Sequence, residues 1–333
     1  MPSNRTTLST MSKTLKLSIS TISKALSDSD EIGVKTKKRV IDYAKECNYV
    51  PNTLASSFRR GTTNTIGLIL PNILNPFYAK ILIGIEAHLE EMGYKLITSI
   101  SNDFISKEAK NLSVMSSGFV DGLIICISKE AEQKRDYAHV RKLIESNTPV
   151  VMFDRICEGL HCDKVITDDY KVAFEATERL ILNRHCKHLV ITSKANSLKH
   201  LSLRKKGFMD AVKKYNQSVK YTAIVEERSS DLYQRLDYLL KIDPSIDGIF
   251  GLNEKSVQQA IILTNKIKKE NSRISIAGFC NELQSKYDAT LTVINQNAKE
   301  MGRESAKLLL QRIRNKDKPY TFCTKTIDVS LKD

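Results

Sequence analysis

From Thr65 onward the chain alternates short apolar runs with amphipathic stretches, and that alternation leaves few folds open. The runs are residues 66–70 (IGLIL), 94–100 (YKLITSI), 121–127 (DGLIICI), 149–154 (PVVMFD), 188–193 (HLVITS), 221–226 (YTAIVE), 247–252 (DGIFGL) and 274–279 (ISIAGF). Each has the length of a strand buried on both faces. Between them, helical spacing recurs over residues 78–92, 137–146, 171–182, 203–215 and 255–268. Strands alternating with helices predict parallel sheets covered by helices on both faces. The order also appears twice. A strand at 66 is followed by Val120-Asp121-Gly122-Leu123, and a strand at 188 by Ile246-Asp247-Gly248-Ile249 at a similar distance. Residues 65–333 are therefore expected to form two doubly wound parallel-sheet subdomains, one after the other, with a cleft between them.

The chain before Thr65 has a different texture. In Ser18–Leu26 (SISTISKAL), Ser18 is placed to cap a helix, and Ile19, Ile22 and Leu26 at i, i+3 and i+7 predict one buried stripe. The other face carries Ser20, Thr21, Ser23 and Lys24, short hydroxyls and one cation that can approach phosphates and base edges. A preceding helix over 9–15 and the connection Lys16-Leu17 complete a helix-turn-helix pattern. A small amphipathic pair with no nucleic acid fits these residues equally. Residues 27–32 read as a loop, and Gly33 as the N-cap of a third helix reaching Cys47, with Val40, Ile41, Ala44 and Cys47 on one side. Residues 1–50 thus predict an all-α head. Pro51 interrupts the pattern, and 53–61 is too short and polar to hold a helix in water, so 51–64 reads as a hinge and linker. Residues 1–64 hold 11 Lys/Arg against 5 Asp/Glu, and the remainder 41 against 33. Positive charge is thus about three times denser on the head, which points to a polyanionic partner there.

Other classes find no support in the residues. No apolar run approaches the roughly 18 residues of a membrane span, and the first residues lack a signal-peptide apolar region. The seven cysteines are scattered, without CxxC, as reduced thiols of a cytoplasmic protein would be. Cys157, His161, Cys162 and Asp163 cluster without zinc spacing, so no metal is expected. No GxGxxG, GxxxxGK[ST] or GxSxG occurs, so neither a cofactor nor catalysis is predicted.

SISTISKAL, YVPNTLASSFRRGTTNTIGLILPNILNPFY (residues 49–78), and then VDGLII, VVMFDR, RKKGF, IFGLNE, IAGF and LTVINQN follow in an order that resembles the lactose-repressor/galactose-repressor (LacI/GalR) family of bacterial transcriptional regulators. The resemblance spans nearly the whole chain. It implies a periplasmic-binding-protein-like core, a homodimer acting as a repressor on a palindromic double-stranded operator, and a small-molecule effector, expected to be a carbohydrate or related metabolite, in the cleft. A solute-binding protein of the same core that does not bind DNA is the alternative. In the head, the resemblance puts Ile19 and Ser20 on bases, Lys24 on DNA beside Thr21 and Ser23, and Ser9 and Thr10 on phosphate. It makes Asn52–Phe58 a hinge helix that folds only on DNA, with Ala55 and Phe58 in the minor groove and Arg59 beside them.

For the effector, the resemblance implies Asn72, Asn75, Phe77, Tyr78, Asp154, His200, Arg204, Asn253 and Gln296. Without it, Arg204 reads as a surface cation opening a helix. Three departures matter. Lys16 stands where the family's turn usually has Gly, which a left-handed residue would strain by about 1 kcal/mol. Cys280 and Asn281 stand where two aspartates usually follow GF, so Cys280 joins the effector wall without a carboxylate. Ser229 and its neighbours lack the aromatic that often stacks on the ligand. A simple hexose therefore fits this cleft poorly. No leucine-heptad tail follows, so no tetramer is predicted.

Overall fold

The computed structural model describes residues 6–49, 62–194, 198–215, 218–226, 228–267, 274–280, 291–315 and 321–332. The chain divides into two compact units, Met1–Thr62 and Thr63–Asp333.

In the first unit, α1 (Leu8–Leu15), α2 (Ile19–Leu26) and α3 (Val34–Glu46) pack around Met11, Leu15, Ile22, Ala25, Val40 and Ala44. Local chemistry sets the helix ends. Thr7 and Thr10 form a capping box on α1, the Ser18 hydroxyl accepts from the Thr21 amide, and Gly33 caps α3. The turn keeps its left-handed residue: Lys16 has φ 53° and ψ 42°. Two bonds brace it, from Ser12 Oγ to the Leu17 carbonyl (2.6 Å) and from Arg39 Nη2 to the Leu15 carbonyl (2.9 Å). Ile19 departs from the expected stripe. It is 45 % exposed, and Ile22 and Ala25 with half-buried Leu26 form the inner face instead. The first turn of α2 overhangs the three-helix core, so Ile19 finds nothing to pack against. The hinge residues Asn52, Ala55, Phe58 and Arg59 lie outside the described residues.

The second unit holds two six-stranded sheets. The first runs β2 (Lys95–Ile100), β1 (Thr65–Leu70), β3 (Gly122–Ile125), β4 (Val150–Phe153), β5 (Asp163–Thr167) and β11 (Thr324–Ile327). The second runs β7 (Lys220–Glu226), β6 (His188–Lys194), β8 (Gly248–Gly251), β9 (Ser275–Phe279), β10 (Leu291–Asn295) and β12 (Ser330–Lys332), with only β12 antiparallel to its neighbour. The helices are α4 (Pro76–Glu91), α5 (Ile105–Ser116), α6 (Lys129–Lys134) and α7 (Ala138–Glu145) on the first lobe. On the second are α8 (Asp169–Leu182), α9 (Lys199–Lys214), α10 (Ser229–Ile242) and α11 (Glu254–Ile267), while α12 (Ala298–Arg314) returns to the first. Among the described residues no helix is long and apolar enough to cross a membrane.

The lobes are not consecutive halves of the sequence, as the repeat had implied. The chain crosses between them three times: from β5 to α8, from β10 to α12, and from β11 to β12. A helix between two strands can cover either sheet, and only packing decides which. The repeat itself has a bonding role. Asp121 accepts from the Thr63 amide (2.7 Å) and the Asn64 amide (2.8 Å), while Asp247 accepts from the Lys187 (2.8 Å) and His188 (2.9 Å) amides. Each carboxylate thus ties the start of its lobe's first strand to the strand beside it.

Candidate functional site

The C-terminal ends of the strands face a cleft between the lobes, where parallel sheets place ligands. Asn75, Phe77 and Tyr78 come from the start of α4, after β1, and Asp154 follows β4. Across the cleft, His200 and Arg204 lie in the first turns of α9, Asn253 follows β8 and Cys280 follows β9. Gln296 lies on the crossing from β10 to α12. Nine of the ten expected effector residues therefore share one cavity of ≈ 140 Å³. Asn72 does not line it. Its Oδ1 accepts from the Leu74 amide at 2.7 Å and so shapes the loop before α4.

Capping geometry positions several of these groups. Asn75 Oδ1 accepts from the Phe77 amide at 2.9 Å, and Pro76 opens the helix, where its missing N–H costs nothing. Asn253 Oδ1 accepts from the amide (3.1 Å) and hydroxyl (3.0 Å) of Ser256 at the start of α11. Asp154 takes a left-handed φ of 58°, and the Tyr78 hydroxyl donates to its Oδ2 at 3.0 Å. Arg155 Nη2 donates to the Tyr78 oxygen at 3.1 Å, while its Nη1 meets Asp103 at 2.6 Å. Burial holds the Tyr78 hydroxyl protonated far above the usual phenol range.

Arg204 is not a surface cation. It is 4 % exposed, its Nε donates to Asp169 Oδ1 at 2.7 Å, its Nη1 to the Leu252 carbonyl at 2.9 Å, and its guanidinium centre lies 3.5 Å from the Phe279 ring centroid. Burial raises the Asp169 pKa, and the Arg204 charge opposes that rise. Burial also pushes the Cys280 thiol up to about 12, so it is neutral, and it donates to the Gly278 carbonyl at 3.6 Å. His200 is held well below the usual imidazole range by burial, then by the Arg204 and Arg155 charges. Its Nδ1, like Gln296 Nε2, is buried without a hydrogen-bond partner. Each unpaired group carries a desolvation cost that an incoming polar ligand would relieve.

The neutral His200 makes stability depend on pH. Its folded pKa lies below its unfolded value of about 6.5, so the unfolded chain takes up the proton first and stability falls as pH drops below about 6.5. We expect His200→Gln to flatten this decline by up to about 1.4 kcal/mol per pH unit, measured by urea unfolding between pH 7.5 and 5.5. An unchanged slope would place the titration at another group, such as His188, whose pKa is also lowered by burial.

Sequence reasoning missed Asp103, Arg155, Asp169, Phe279, Lys80 and Glu254. The last three line the cleft, and the others hold its side chains in place. Arg155 and Phe279 were visible inside quoted motifs. Asp103 and Asp169 carried no local signal, because each is bonded to a residue far along the chain.

On the head, Ser20 is exposed beside Ile19, and its hydroxyl lies 2.9 Å from Ser18 Oγ, which also contacts Thr21 Oγ1 at 2.8 Å. Lys24 is paired with Glu31, a residue that the sequence reading passed over. Ser23 is half-buried on the same helix. Ser9 is exposed, whereas the Thr10 hydroxyl is engaged in its cap with Thr7 at 2.8 Å.

A helix-turn-helix unit joined to a two-lobed parallel α/β core with a polar cleft defines the class of ligand-responsive transcriptional regulators. A family described as periplasmic binding proteins and sugar binding domain of LacI family matches residues 63–327, and the chain belongs to that LacI/GalR family. It is 29 % identical over 322 residues to the HTH-type transcriptional repressor PurR of Aliivibrio fischeri (strain MJ11), covering 93 % of each chain. It is also 29 % identical to the ribose operon repressor of Bacillus subtilis (strain 168), covering 88 % of this chain and 87 % of that one. Among solved structures, the lac repressor dimer bound to operator and the anti-inducer ONPF has the same fold, with a TM-score of 0.80, 18 % identity, and 99 % and 98 % of the two chains covered.

Proposed function

We propose that this protein is a cytoplasmic, non-enzymatic repressor that binds a palindromic operator as a homodimer and is switched by a small carbohydrate-like effector. The observation that carries the reading is the pair of orphan polar groups, His200 Nδ1 and Gln296 Nε2, buried in a cleft at the lobe crossing. Gln296 stands two residues before α12, which packs on the first lobe, so a ligand bonding to it favours one lobe arrangement over another. Asn75, Asp154, Asn253 and Arg204 supply amides, a carboxylate and a guanidinium suited to hydroxyls, and Phe77 an aromatic face for C–H groups.

In the head, Ile19 and Ser20 read base edges, with Thr21 and Ser23 along the same helix and Ser9 and Thr10 on the backbone. Lys24 must exchange Glu31 for a phosphate. Asn52, Ala55, Phe58 and Arg59 form the minor-groove hinge of this proposal.

Gel shifts against genomic fragments test the reading, and salt makes the test quantitative. With 11 Lys/Arg against 5 Asp/Glu in residues 1–64, specific affinity should fall by about 10³–10⁵ between 50 and 200 mM salt if the dimer neutralises roughly 6–10 phosphates. A flat salt dependence, or no retained fragment, would remove DNA from the function.

A further inference from the structure

Beside the effector cleft lies a second cavity of ≈ 220 Å³, and the two share Asp154 and His200 as a common wall. The first cavity, at ≈ 140 Å³, is smaller than the roughly 300–1,000 Å³ typical of small-molecule sites, whereas the two together reach that range.

The polar groups around the second cavity are incompletely satisfied. Arg155 is 4 % exposed, yet its Nε has no hydrogen-bond partner. Glu132 Oε1 accepts from the Lys199 amide at 2.5 Å, but its Oε2 is buried without a partner. His200 Nδ1, on the shared wall, is likewise unpaired. Donor and acceptor capacity therefore converges on one space, with Ile156, Ile166 and Leu203 as apolar walls. The strong charges are already matched. Arg155 meets Asp103, Arg204 meets Asp169, and Lys199 meets Glu158 at the exposed rim. A phosphate or carboxylate would have to break one of these pairs, while hydroxyl groups need not. The rim pair is solvated and costs little to open.

We propose that the two cavities hold one ligand, an uncharged two-unit polyhydroxyl compound such as a disaccharide, with its second unit bonded by Glu132, Arg155 and His200. This rests on the effector reading above. It assigns the Asp154/His200 wall to the linkage between the units and the first cavity to the unit nearer Gln296.

The full chain is titrated by calorimetry with glucose, galactose and ribose, and with maltose, cellobiose, lactose and sucrose. The same compounds are added to its complex with a genomic fragment. A disaccharide should bind tightest and change fragment retention. Glu132→Gln should weaken that disaccharide by about tenfold or more, and any bound monosaccharide by less than about twofold, whereas Gln296→Ala should weaken both. Thermal melts confirm that each variant is folded, and Leu203→Phe, which narrows the second cavity without touching its polar groups, should repeat the selective loss. The proposal is overturned if no disaccharide binds, if a monosaccharide binds as tightly as the best of them, or if both variants at the second cavity weaken the two classes equally. Retained DNA binding with a response to single-unit compounds alone sinks only this proposal. Failure to retain any fragment sinks the regulator reading itself.

Discussion

Arg204→Ala is expected to lower the folding stability of the core by about 3–5 kcal/mol, the cost of leaving a buried carboxylate without its partner. Asp169 is 6 % exposed, and Arg204 is the one cation hydrogen-bonded to it among the described residues. The truncation also removes the donor to the Leu252 carbonyl and the plane stacked on Phe279. Against a total stability of roughly 5–15 kcal/mol, this loss is visible directly in thermal or urea unfolding. Effector response should vanish together with the lost stability. Asp169→Asn in the same chain should recover part of the stability, because an amide is buried at lower cost than an unpaired charge. Arg204→Lys separates the two roles. It retains the charge but not the fork or the stacking plane, so its melting temperature should stay nearer wild type while effector affinity falls. If Arg204→Ala unfolds at the wild-type denaturant concentration, the ion pair carries no weight in the fold.

Gly84→Ala should cost about 3 kcal/mol or more, which is large for one methyl group. A Cβ at Gly84 would lie 2.0 Å from the Lys299 carbonyl oxygen, and one at Gly302 would lie 2.1 Å from that of Ile81. The two helices cross backbone to backbone, so no side chain can rotate away and the helices must separate. For a chain of this size the melting temperature of the core should drop by about 6–12 °C. Because α4 carries Asn75, Phe77 and Tyr78 at its start, effector affinity should fall with it. An unchanged melting temperature would mean that the helices pass farther apart than the structure has them.

Much of the fold was legible in local pattern. Period-3.6 spacing set most of the core helices, uninterrupted apolar runs set the central strands, and capping residues set where helices begin, because those interactions close within a few residues. Thr7, Ser18, Gly33 and Asn75 each act on their own turn. The residues of the cleft were reached through motif resemblance, and all but Asn72 face it, since they follow strand ends that a parallel sheet places on one edge.

The remainder depended on partners far along the chain. β5, β10 and β12 are short, and their place in the sheets comes from pairing with neighbours, whose register no local pattern encodes. The three lobe crossings follow from which sheet α8 and α12 cover, and either sheet offers an apolar face. Ile19 is apolar and correctly spaced, yet it is exposed because the core ends beneath the preceding turn. Arg204 shows the division most plainly. The sequence by itself determined that a guanidinium stands in the first turns of a helix after β6; only tertiary structure decided that α8 packs beside α9, bringing Asp169 within 2.7 Å and turning a solvated cation into a buried one. A local pattern records what a residue can bury, whereas its charge partner is chosen by the packing of segments that meet only in the folded chain.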